Sequence, residues 1–131
     1  MKRTMSGLVA FLLLCTGILA FAQVKEWEKL NEEVMSLYSQ GRYDDAVVVA
    51  KKALQVAEQA GPNHPSVAVS LNNLALLYCT QGQYAKAEPL YKRSLTLSEK
   101  ALGSDHTEVA KTLNNLAFLY YTQGQYAQVE P

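Results

Sequence analysis

The chain has 131 residues, 49% hydrophobic and 18% charged, with a formal net charge of +0. Such values describe one ordinary globular domain and exclude a disordered or fibrous chain. Lys2 and Arg3 are the only charges before Gln23, so the rest of the chain is slightly acidic and lacks the clustered basic surface that nucleic acid requires.

The first element, "MKRTMSGLVAFLLLCTGILAFAQ", places Lys2 and Arg3 before an apolar run from Leu8 to Phe21. The small-x-small site Ala20-Phe21-Ala22 follows. This order predicts a cleavable secretory signal over residues 1–22 and an exported mature chain beginning at Gln23. The run is about fourteen residues, short of the roughly 20 that a permanent membrane helix needs. Membrane contact is therefore expected only through an uncleaved signal. Leu14 before Cys15 is not the small residue that a lipid-modified cysteine needs. Cleavage would leave Cys79 as the one thiol, so packing rather than a disulfide must stabilise the domain.

Beyond Gln23 the sequence repeats itself. His64 aligns with His106, Asn72 with Asn114, Gly82 with Gly124 and Pro89 with Pro131, all at a constant offset of 42. A fainter earlier copy is offset by 41, where "QGRYDDA" at 40–46 matches "QGQYAKA" at 81–87. The boundaries are about 26–60, 64–102 and a partial 106–131. Periods of this size mark stacked units, each of which buries its apolar face only against a neighbour.

In the second copy, Val67, Leu71, Leu74, Ala75 and Tyr78 fall on one helical face. Gly82 ends that helix. Tyr84, Ala87, Leu90, Tyr91, Ser94 and Leu95 then resume helical spacing in an antiparallel second helix. Gly61-Pro62 and "GSDHT" at 103–107 punctuate the joins, with Pro65 in the first turn of its helix. The fold class is therefore an all-α solenoid of helical hairpins. In the third copy, Leu113, Leu116 and Tyr120 are followed only by "YAQVEP", which predicts an uncovered apolar end and either self-association through it or membership of a longer protein.

Leucines and a tyrosine on the first helix, Gly and Tyr at the turn, and Ala early on the second helix resemble the tetratricopeptide repeat. The 42-residue spacing and "LNNLA…YxxQGxYxxAEPLYKRSL" phrasing are similar to its kinesin light chain type, found in many bacterial multi-repeat proteins. The ordinary repeat has about 34 residues, and the extra length adds about one turn to each helix. Ala50 stands where the second copy has Tyr91, and Val129 stands where the family has a small residue. The resemblance implies a right-handed superhelix that scaffolds protein–protein contacts. It also leaves open an N-terminal fragment of a larger protein carrying a protease-like domain.

No catalytic constellation emerges. His64 and His106 are equivalent loop residues without zinc-ligand company, and are expected to cap helices. Asp44 and Asp45 suit a helix first turn, where the dipole favours negative charge. No nucleophile elbow or phosphate loop is present, so neither enzyme activity nor a cofactor is expected.

Asn31, Asn72 and Asn114 each stand at the same interval before a turn glycine, Gly41, Gly82 and Gly124. Asparagine is a poor helix-interior residue, and its amide matches a peptide group with one donor and one acceptor side. The resemblance implies that these residues line a concave groove and clamp an extended peptide. Bonding between neighbouring helices, or loop capping, is the alternative. Met35, Leu76 and Phe118, then Tyr38, Cys79 and Tyr121, would form the apolar and aromatic wall for an extended peptide or a helix. The same stripes could equally serve as core.

Overall fold

The computed structural model describes residues 2–124, with side chains for 12 and 14–124. Within them run five helices: α1 (Lys2–Ser39), α2 (Tyr43–Gln59), α3 (Pro65–Thr80), α4 (Tyr84–Leu102) and α5 (Thr107–Thr122). The sequence expectations for 125–131, including Val129 and Pro131, lie outside the described residues.

Each first helix ends in the same device. Gly41, Gly82 and Gly124 adopt φ of 72°, 75° and 72°, a left-handed conformation that costs glycine little because it has no Cβ. After α3, the Gly82 N–H donates to the Cys79 carbonyl at 2.9 Å and the Gln83 N–H to Tyr78 at 2.8 Å. After α1, Gly41 bonds Tyr38 and Arg42 bonds Leu37, each at 3.0 Å. This pairing satisfies carbonyls that a helix end otherwise leaves open, and lets the chain reverse immediately.

The opposite ends are set by histidine. His64 is the N-cap of α3, with Nδ1 accepting the Ser66 N–H at 3.2 Å and Pro65 in the first turn. His106 repeats the cap on α5, accepting from Glu108 N–H at 3.1 Å. Both fulfil the capping role expected of them. Asp44 and Asp45 occupy the first turn of α2, where Arg42 pairs with Asp45 at 2.8 Å.

α1 with α2 and α3 with α4 form antiparallel hairpins, and α5 packs on α4. α3 packs on both α2 and α4 and also touches α1 and α5. The main core joins Val34, Leu37, Leu74, Leu77, Tyr78 and Tyr91 across the repeats. Ala46 and Ala87, equivalent in the first two copies, are fully buried where a larger side chain would hold the helices apart. The buried Ser94 hydroxyl donates to the Ala68 carbonyl at 2.7 Å, tying α4 to α3.

The uncovered end is smaller than the sequence suggests. Leu116 and Tyr120 are buried, and the Tyr120 hydroxyl donates to Glu88 of α4 at 2.8 Å. The preceding hairpin already covers them. Of that trio Leu113 is 49% exposed, whereas its counterpart Leu71 is buried in a cluster that includes Leu97 of α4.

The helix runs unbroken through the expected signal boundary. α1 continues for 38 residues through Ala22 and Gln23 into the first repeat. Among the described residues, no helix is long and apolar enough to cross a membrane.

Candidate functional site

Because α1, α3 and α5 are equivalent first helices, residues at the repeat spacing come into rows across them. The asparagines form one row. Asn73 donates through Nδ2 to Asn31 Oδ1 at 2.7 Å, and Asn115 donates in the same way to Asn72 Oδ1 at 3.1 Å. The first asparagine of one repeat therefore accepts from the second asparagine of the next. In the first copy the second position is the exposed Glu32, which has no earlier repeat in the described chain to reach.

This ladder corrects the expectation that Asn31, Asn72 and Asn114 all offer their amides to a peptide. Asn72 is 0% exposed, with its carbonyl oxygen already engaged and its Nδ2 buried without a partner. Asn31 is partly buried and its oxygen is also taken. Helix-to-helix bonding, the alternative reading, is what the geometry adopts for these two. Asn114 alone of the three is exposed.

The wall residues behave differently. Met35 and Phe118, at equivalent positions on α1 and α5, are 50% and 65% exposed, and Leu76 between them on α3 is partly buried. One turn on, Tyr121 is 60% exposed while Tyr38 and Cys79 are partly buried. The Tyr38 ring meets Tyr43 of α2 edge-on, with centroids 5.4 Å apart, which fixes its orientation at the margin of the row. Apolar side chains thus reach solvent along successive first helices, in register with the repeat.

Cys79 is a packing residue more than a reactive one. Burial pushes its thiol above the usual value, with a bond to the Tyr91 hydroxyl acting the other way. A raised value disfavours the nucleophilic thiolate. Burial likewise raises the Tyr91 phenol. On the α4–α5 border, the Lys92 ammonium bonds Glu88 at 2.8 Å and, with the Tyr120 hydroxyl, holds that carboxyl below its usual range. Among the described residues, no group of three His, Cys, Asp or Glu could hold a metal ion.

Trp27 is a contact that repeat reasoning missed. Its indole N–H donates to Ser70 Oγ at 2.7 Å, joining α1 to α3. The equivalent positions in later copies are Ala68 and Ala110, so the period carries no trace of it.

The tetratricopeptide repeat family profile matches residues 29–100 and, in a second register, 67–130. Among curated proteins, the mitochondrial tetratricopeptide repeat protein 19 of Rattus norvegicus is 29% identical over 70 residues, which is 53% of this chain and 19% of the rat protein. The Homo sapiens counterpart is 30% identical over 66 residues, covering 50% of this chain and 17% of its own length. The chain therefore spans less than a fifth of the curated relatives it matches. Among solved structures, the crystal structure of BtubC (BKLC) from P. vanneervenii superposes with a TM-score of 0.64 at 28% identity, over 69% of this chain and 36% of that one. The family is a non-catalytic scaffold family whose repeats generally mediate protein–protein interaction. With five helices among its described residues, repeated glycine turns and a matched profile, the chain belongs to the tetratricopeptide repeat family.

Proposed function

We propose that the chain is a scaffold without catalysis of its own, which holds an extended peptide, or a helix with bulky apolar side chains, along the face of α1, α3 and α5. The observation that carries this reading is the row Met35, Leu76 and Phe118 with Tyr121 beside it: large apolar groups reach solvent at repeat-related positions on first helices. Apolar side chains of a partner would seat against that row, and the spacing between helices would select their register. Asn31 and Asn72 hold the helices together, and Asn114 is exposed. Selection of linear peptides against the full chain, followed by NMR mapping of a winning peptide, tests this. Shifts confined to α1, α3 and α5 are expected. Shifts on α2 and α4, or enrichment of peptides lacking large apolar residues, would refute it.

We further propose that residues 1–22 are an export signal cut between Ala22 and Gln23, so that the scaffold works outside the cytoplasm. Support comes from the order of charge, apolar run and small residues, and from the exposure of Ala20, Phe21 and Ala22.

A further inference from the structure

A cavity of about 250 Å³ opens between α1, the end of α2 and the start of α3. Its lining is apolar, built from Val24, Trp27, Val56, Ala57 and Pro65, and Gln23 lies at its α1 margin, partly buried. Trp27, one helical turn beyond Gln23, is fixed to Ser70 at 2.7 Å. α1 is helical on both sides of the Ala22–Gln23 bond, so a chain cut there begins directly with helix.

We propose that Gln23, once it is the mature N-terminal residue, cyclises to a pyroglutamyl lactam at the margin of this cavity. The inference rests on the export reading above. A new α-ammonium at this position is disfavoured twice. It places positive charge at the positive end of the helix dipole, and it does so beside an apolar surface that solvates it poorly. Both effects favour the neutral amine, which is the nucleophile.

The α-amine nitrogen attacks Cδ of the same residue's carboxamide. The N–Cδ bond forms, the Cδ–Nε2 bond breaks, and ammonia departs with the proton the amine gives up. No oxidant, reductant or second substrate is needed. The product keeps one N–H, loses the charge, and presents its ring methylenes to the cavity, so the residue that forms it is also suited to stay. A lactam terminus also resists ordinary aminopeptidases, which need a free α-amine.

The test is the intact mass and N-terminal sequence of the full chain after expression in an exporting host. The expected mass is that of residues 23–131 less one ammonia, about 17 Da. Sequencing is blocked until pyroglutamyl aminopeptidase is added, and then starts at Val24. A freshly cut sample should cyclise several-fold faster folded than in urea. A Gln23→Ser variant should be cut normally, keep its full mass and read from position 23. A free amine at Gln23 that persists in the folded protein overturns the proposal while leaving the export reading intact. Cyclisation no faster folded than in urea overturns the part assigned to the cavity and helix. A chain that still begins at Met1 overturns both readings.

Discussion

Asn115→Ala removes the 3.1 Å bond to Asn72 and leaves that amide, which is 0% exposed, with no partner at either end. Water cannot replace the lost donor at so closed a position, so the loss is the desolvation penalty of a buried polar group, about 1–3 kcal/mol. Asn73→Ala breaks the shorter 2.7 Å bond, yet its partner Asn31 is only partly buried and can turn to water. That change costs about 0.5–1.5 kcal/mol. The longer bond should therefore matter more than the shorter one. Against a domain stability of about 5–15 kcal/mol, both effects are resolvable by urea unfolding followed by circular dichroism. A double-mutant cycle on Asn72→Ala and Asn115→Ala should give a coupling of about 0.5–3 kcal/mol. Replacing both by leucine should recover much of the loss, because no polar group is then stranded. Zero coupling, or an Asn73→Ala variant less stable than Asn115→Ala, would refute the ladder as a structural bond.

Gly82→Ala should destabilise by about 1 kcal/mol in thermal melts, because φ of 75° strains any side chain while the space around it is open. An unchanged melting temperature would show that the turn relaxes. His106→Ala should cost about 0.5–2 kcal/mol through the lost cap on Glu108, and His106→Asn, which caps equally well, should restore it. For Glu88, the folded carboxyl is held below its unfolded value, first by Lys92 and then by Tyr120. Its contribution is therefore full above the unfolded value and fades as pH falls through the lowered folded one. Parallel melts of Glu88→Gln and the parent should differ at neutral pH and converge in acid. A constant difference would contradict this assignment.

The elements that local chemistry dictates were legible in the sequence. Gly82 and its copies announced the reversals, Pro65 and the histidines announced helix starts, and the spacing of Leu71, Leu74 and Tyr78 announced the buried face. The candidate site was legible only in part. Met35, Phe118 and Tyr121 reach solvent at repeat-related positions. The asparagine row was visible, but its bonding was not: Asn72-Asn73 and Asn114-Asn115 repeat with one period, and a period cannot say which of two adjacent amides turns toward the next helix. The first copy, with Asn31 followed by Glu32, keeps only the acceptor, which fits the direction of the ladder. Trp27 was silent for the opposite reason, since one unrepeated residue leaves no periodic trace. Leu116 and Tyr120 looked uncovered because the expectation counted only the helix after them and not α4 before them.

In the proposed function, the exposed row on the first helices binds a partner through its apolar groups. Calorimetric titration of a selected peptide against Phe118→Asp and Val48→Asp tests it most directly, because both side chains are exposed but Val48 lies on the second helix α2. Phe118→Asp should weaken binding at least tenfold in Kd, about 1.4 kcal/mol, and Val48→Asp should leave it unchanged, with both variants melting like the parent. Equal losses from the two substitutions, or full affinity in Phe118→Asp, would contradict it.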